Sequence, residues 1–289
     1  MPVGLIIREK EQEASGREND TLERNTKQAI LVVSFGTSYN GTRDKTIGEI
    51  ERTIAKSFSD FDVRRAFTSQ IIIDKLRARD GLEIDNVEQA LERACRDGID
   101  SLIVQPTHMM AGYEYTDLAD VLESYEKKFR VLALAEPLLS REDDFDKVIR
   151  AITDETASCD DGETAICYMG HGTEADSNKV YLKLQDMLRD RGYGNYYVGT
   201  VEAEPSLKDL MASVKEKGCY KKIVLKPLMV VAGDHANNDM AGDEADSWKS
   251  RFEAAGYEVR CILKGLGENS EIREIYAAHV KRAYDSLEK

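Results

Sequence analysis

The chain has 289 residues, 42% of them hydrophobic and 33% charged, with a formal charge of −14. That length buries one large core or two ordinary ones, and the acidic balance excludes a general binder of nucleic acid or anionic membrane, which needs a basic face. The 5 Cys are scattered without a CxxC pair, which reads as reduced thiols of a cytoplasmic protein, and no apolar run reaches the ~20 residues of a membrane span.

Residues 1–27 carry too few apolar positions before dense charge to be a signal peptide, and they are expected to form a flexible or partner-dependent extension. Ala29–Val33 is a continuous apolar run closed by SFGT, the pattern of a strand covered on both faces. A helix follows, with Ile47, Ile50 and Ile54 on one face. The first half continues with strand Phe61–Phe67, helices Ile71–Arg79 and Asn86–Asp97, strand Ser101–Gln105, a helix from Tyr115 to Lys128 and strand Val131–Ala135. The pattern then restarts with strand Ala165–Met169, closed by GHGT, and helix Asp176–Arg191. Strand Tyr196–Val201, helix Leu207–Lys217, strand Lys222–Lys226, helix Met240–Ala255, strand Val259–Leu263 and helix Glu271–Leu287 complete it. Strands alternating with helices imply parallel sheets wrapped by helices.

The restart is an internal repeat. AILVVSFGT, from Ala29 to Thr37, aligns with AICYMGHGT, from Ala165 to Thr173, and places Phe35 on His171. With a slip of one residue, Phe67 falls on Glu202. Pro106 and Gly112 then match Pro227 and Gly233, and Glu114 falls on His235. An ordered match across three units favours duplication over the general likeness of βαβ units. The expected fold is α/β with two similar lobes, residues 28–140 and 141–289. Each is a mostly parallel four-stranded sheet flanked by helices, and a cleft lies between them.

Ligands of open α/β sheets bind outside the carboxyl ends of the strands. His171, Glu202 and His235 each follow one of three consecutive strands, so they are expected at one edge, facing the cleft. Two imidazoles and a carboxylate suit a divalent first-row metal such as Co²⁺, Ni²⁺, Fe²⁺ or Zn²⁺, and sets of this kind with open positions are typically catalytic. The matching places in the first lobe hold Phe35, Phe67 and Glu114, a mostly apolar wall. The commoner alternatives are a helix cap for Glu202 or His235 and an ordinary core or surface position for a lone His. For His171, the flanking glycines favour close approach of a ligand. Asp234 is the candidate that orients His235. His108, after the third strand, is expected to line the cleft, whereas His279, near Ile272, Ile275 and Tyr276, reads as structural. Neither GxGxxG nor GxxxxGK[ST] nor GxSxG is present, so nucleotide binding and a serine nucleophile lack a motif.

SFGTSY (34–39), AFTSQIIIDKLRARDG (66–81), GHG (170–172), VE (201–202), PLMVVAGDHANNDMAGDEADSWK (227–249) and GLGENSEIR (265–273), in that order, resemble the anaerobic sirohydrochlorin cobaltochelatases. These are class II, ferrochelatase-like chelatases. The resemblance runs from residue 28 to the end and leaves the extension outside. It implies the chelatase-like bilobal fold and ATP-independent insertion of Co²⁺ into sirohydrochlorin on the early-cobalt, anaerobic route to cobalamin. It implies that His171, Glu202 and His235 hold the metal, with His171 and Glu202 catalytic. Sirohydrochlorin and a divalent metal are the implied partners, with no further cofactor, no nucleic acid and no membrane; a homo-oligomer is compatible with it. Some relatives are exported and bind haem, and the lack of a signal peptide groups this chain with the cytoplasmic ones.

Such a reaction makes several demands. The metal must be releasable, which suits an incomplete shell of two His and one Glu. Two pyrrole protons must leave, and a neutral imidazole can accept one while Glu202 assists. The macrocycle needs an opposing wall, for which Phe35 and Phe67 are candidates. Its carboxylates call for cations, and Arg43, Lys45, Arg64, Arg65 and Lys226 lie near strand ends. The acidic stretch Asp239–Asp246 is expected in the first turns of a helix behind the site, drawing a cation toward His235. Ligand type does not separate a cobalt chelatase from an iron or nickel chelatase acting on sirohydrochlorin. A metal or tetrapyrrole carrier is the non-enzymatic alternative, against which stands a proton acceptor beside the metal.

Overall fold

The structure, a computed structural model, describes residues 6–7 and 27–287. In the first lobe, β1 (Ile6–Ile7), β2 (Gln28–Ser34), β3 (Asp62–Phe67), β4 (Ser101–Pro106) and β5 (Val131–Leu134) form a sheet in the order β1-β5-β4-β2-β3. In the second, β6 (Thr164–Gly170), β7 (Tyr196–Thr200), β8 (Lys222–Pro227) and β9 (Glu258–Cys261) stand in the order β7-β6-β8-β9. Every pairing is parallel except that of β1 with β5. The orders β3-β2-β4-β5 and β7-β6-β8-β9 are the same, which is the correspondence the sequence repeat requires. β2 and β6 sit inside their sheets and are buried on both faces, hence their unbroken apolar runs.

Most of the extension expected at residues 1–27 lies outside the described residues. Ile6–Ile7 pairs antiparallel with Leu132–Ala133 and adds a fifth strand to the first sheet.

The helices are α1 (Asn40–Arg43), α2 (Glu49–Ser57), α3 (Gln70–Asp80), α4 (Val87–Arg96), α5 (Tyr113–Tyr125), α6 (Glu142–Thr156), α7 (Lys179–Asp190), α8 (Leu207–Lys217), α9 (Trp248–Ala254) and α10 (Ser270–Leu287). A π turn, Asp44–Gly48, joins α1 to α2, and Ile47, Ile50 and Ile54 are buried as their spacing requires. None of the helices among the described residues is long and apolar enough to cross a membrane.

Three elements depart from expectation. α6 was not foreseen, although Phe145, Val148, Ile149 and Ile152 fall at helical spacing and are all buried. The helix expected at Met240–Ala255 begins only at Trp248, where Ser247 caps it by accepting from Ser250 N. The acidic residues 241–246 therefore form a loop rather than the first turns of a helix. Finally, α10 leaves the second lobe and packs on α2, α6 and β4. One core cluster consequently runs through both lobes, from Ile30 and Ile103 through Val148 and Ile275 to Ile166 and Val224.

Candidate metal centre in the cleft

The turns after β2 and β6 aim two equivalent side chains into the cleft. Gly36 has φ +98° and Gly172 φ +90°, a region that disfavours side chains. A Cβ at Gly36 would lie 2.5 Å from the Phe67 ring, and one at Gly172 would lie 2.8 Å from Ala203 N. Phe35 is thereby turned outward, 51% exposed, and His171 projects from the matching place.

Phe67 corrects the expected wall. It is 0% exposed, packed with Ile47, Ile73 and Leu76 beneath the Gly36 turn, and does not line the cleft. The ladders explain the error. Ser34 is opposite Phe67 and Gly170 is opposite Thr200, so Thr200 is the counterpart of Phe67 and Glu202 lies two residues further on. Phe67 and Thr200 each close a strand and are both buried, whereas Glu202 lies in the loop beyond β7.

His171, Glu202 and His235 offer ligand atoms that all lie within 4.8 Å of one another. Glu202 approaches both imidazoles, with Oε2 3.7 Å from His171 Nδ1 and Oε1 4.0 Å from His235 Nε2. The two rings stand edge to face, their centroids 4.8 Å apart at 82°. All three side chains are partly exposed, as a site that exchanges ions with solvent requires. His171 Nδ1 donates to the Gly172 carbonyl at 2.9 Å. His235 Nδ1 is 2.7 Å from Asp239 Oδ2, whereas Asp234, the expected orienter, accepts from Asn238 Nδ2.

These groups open on a cavity of about 730 Å³ between the lobes, within the range of small-molecule sites. Its apolar side includes Phe35, Tyr39, Ile71 and Tyr113, all large and exposed, together with Met109 and Met110. Glu114 and His108 line it as expected, and their side chains approach to 3.3 Å without hydrogen-bond geometry. Burial lowers the His108 pKa to about 4, so the ring is neutral near pH 7. Desolvation by the cleft walls raises the Glu114 pKa; His171 opposes this and Asp117 adds to it. The loop bearing His108 is fixed from behind by Tyr276, which donates to the Thr107 carbonyl at 3.0 Å.

The expected cations do not line the cleft. Arg43 is buried and donates to Asn40 Oδ1; Arg64 pairs with Asp62 and Asp97, and Arg65 with Glu51. Lys226 is fully buried, 2.5 Å from Glu155, and Lys45 faces solvent away from the cavity. The lysine at the cleft is Lys75 on α3. Sequence reasoning missed it, although it stands four residues after Ile71, whose side chain is 80% exposed on the same helix. It also missed Asp239, which its spacing of four from His235 could have indicated. In the acidic stretch, Asp243 pairs with Lys249, and Asp243, Glu244 and Asp246 do not line the cleft.

A profile of the family described as Cobalt chelatase (CbiK) matches residues 28–285. The sirohydrochlorin cobaltochelatase of Salmonella typhimurium is 41% identical over 257 residues, which cover 89% of this chain and 96% of that protein. The sirohydrochlorin cobaltochelatase CbiKC of Nitratidesulfovibrio vulgaris is 30% identical over 265 residues, 91% of this chain and 93% of that one. Among solved structures, SirB from Bacillus subtilis with Fe³⁺ has a TM-score of 0.66 at 13% identity, covering 91% of this chain and 98% of that one, a likeness of fold.

Proposed function

The chain belongs to the cobalt chelatase (CbiK) family, and from that premise we propose that it inserts Co²⁺ into sirohydrochlorin, without ATP, at His171, Glu202 and His235. The observation that carries this is the cluster of three ligand groups within 4.8 Å on one side of a cleft whose other side is largely apolar.

Each part of the cleft has a task. The macrocycle lies against the apolar side, which Phe35 and the Met109–Met110 loop form. The incoming Co²⁺ is a substrate, held by two imidazoles and a carboxylate that leave coordination positions open for the ring nitrogens. Exchange replaces two N–H bonds of the macrocycle with bonds to cobalt, so two protons must be taken up. His171 and Glu202 accept and relay them, a reading supported by the approach of the carboxylate to both imidazoles. We place the activity in the cytoplasm, in keeping with 5 free thiols.

The test is anaerobic mixing of the protein with an excess of sirohydrochlorin and Co²⁺, followed by visible absorption. The expected result is cobalt-sirohydrochlorin well beyond one equivalent of protein, formed faster than the iron or nickel product. Product that stops at one equivalent would make the protein a carrier, and a faster Ni²⁺ or Fe²⁺ reaction would reassign the metal.

A further inference from the structure

The two imidazoles of the cluster are oriented by different means, and the difference points to a residue outside the ligand set. His171 is aimed by the carbonyl of its own neighbour, Gly172. His235 is aimed by a carboxylate four residues on, with Nδ1 2.7 Å from Asp239 Oδ2. An ionised carboxylate only accepts, so Nδ1 carries the proton and Nε2 keeps its lone pair. Nε2 is the nitrogen that faces Glu202.

The contact is built into the chain path. Ala236–Met240 is a π turn that starts directly after His235, and turns of this kind recur at functional sites. Asn237 Nδ2 donates to the Gly233 carbonyl at 2.7 Å and ties the start of the turn to the end of the preceding loop. At the other end a Cβ on Gly242 would lie 2.3 Å from Asn238 O, so the backbone closes against itself there. Asp239 is held between these two fixed points. Asp234 has its own partner in Asn238 and does not compete for the ring.

We propose that Asp239 is a positioning residue for metal capture: it fixes the tautomer and aim of His235 and makes that imidazole the stronger arm of the site. Its role presupposes that His171, Glu202 and His235 hold the metal. Asp239 bonds the far nitrogen of the ring and acts only through it. A carboxylate on the distal nitrogen of a ligating His raises its basicity, and loss of such a partner costs about 10–100-fold in metal affinity.

The full-length protein is titrated with Co²⁺ in the absence of tetrapyrrole, and KM is then measured separately for Co²⁺ and for sirohydrochlorin. Asp239→Ala is expected to weaken Co²⁺ binding about 10–100-fold and to raise KM for Co²⁺ while leaving KM for sirohydrochlorin in place. Asp239→Asn keeps an acceptor oxygen and is expected to recover part of the loss. Parent-like Co²⁺ affinity in Asp239→Ala would overturn the proposal, as would an Asp239→Asn variant no better than Asp239→Ala. ¹⁵N NMR of the unsubstituted protein, which has 4 His, reads the tautomer without any variant. The proton is expected on Nδ1 of His235, and a proton on Nε2 would overturn the assignment. His235→Ala serves as the reference: if it binds Co²⁺ like the parent, the metal set itself is wrong, a failure distinct from that of Asp239 alone.

Discussion

Sirohydrochlorin is rich in carboxylates, yet the chain carries a formal charge of −14, so a cation at the cleft has a disproportionate effect on binding. Lys75 lines the cavity, and the arginines expected there are engaged by Asn40, Asp62, Asp97 and Glu51. An exposed pair of this kind is worth up to about 1 kcal/mol, so Lys75→Ala is expected to raise KM for sirohydrochlorin roughly fivefold. Lys75→Glu should raise it further, Lys75→Arg should stay near the parent, and KM for Co²⁺ should not move. An unchanged KM in Lys75→Glu would remove Lys75 from substrate binding. His171, Glu202 and His235 were legible as a group because each follows a strand of the same sheet, and strand ends share an edge whatever their side chains do. Phe67, Lys226 and Asp234 were misread because their roles depend on which way a side chain points. Phe67 was aligned with a residue two positions past its ladder counterpart, and the π turn brings Asp239 rather than Asp234 to the His235 ring; neither is visible in residue type.

At the scale of elements, α6 and α10 tie the lobes together. His279 on α10 donates from Nδ1 to the Glu136 carbonyl at 2.9 Å, and its Nε2 is 3.1 Å from Asp144 Oδ1 on α6. Arg282 adds contacts to Glu136 and Asp144 at 3.0 and 3.3 Å. Burial pushes the Asp144 pKa up, but His279, Arg282 and the Arg141 amide outweigh it and hold the carboxyl below its ordinary value. A depressed carboxylate stabilises the fold fully above its unfolded pKa of about 4, and the contribution is lost as pH falls through the lower folded value. His279→Ala removes one partner of the buried Asp144 carboxylate, which keeps Arg282 and the Arg141 amide, so it is expected to lose about 2 kcal/mol of stability near pH 7. The gap between variant and parent should narrow as pH falls below the unfolded carboxylate value of about 4 and on through the lower folded value of Asp144. Denaturant unfolding across that range reads both effects, and a gap independent of pH would mean that Asp144 does not carry the loss. The apolar spacing of α10 was plain in the sequence, but its return to the first lobe was not. An amphipathic helix specifies that it has a buried face, not which sheet covers it.

Across the whole molecule, one topology is used twice and its two copies diverge at their strand ends. The shared order β3-β2-β4-β5 and β7-β6-β8-β9 puts both sets of strand ends on the cleft. The first lobe presents Phe35 there, and the second presents His171 from the equivalent turn. In the reaction proposed above, that asymmetry gives the macrocycle an apolar bed on one side and the metal ligands and proton acceptors on the other. The cores of the lobes merge through α6 and α10, so the two walls of the cleft rest on one shared core.

The central claim is that His171, Glu202 and His235 deliver cobalt and take up the protons. The direct measurement is the initial rate of cobalt-sirohydrochlorin formation, under anaerobic conditions, by the parent and by His171→Ala, Glu202→Gln and His235→Ala. Each variant is expected to fall by about 100-fold or more, since each loses a metal-holding or proton-accepting group. Parent rates in His171→Ala and His235→Ala, with the fold intact, would contradict it.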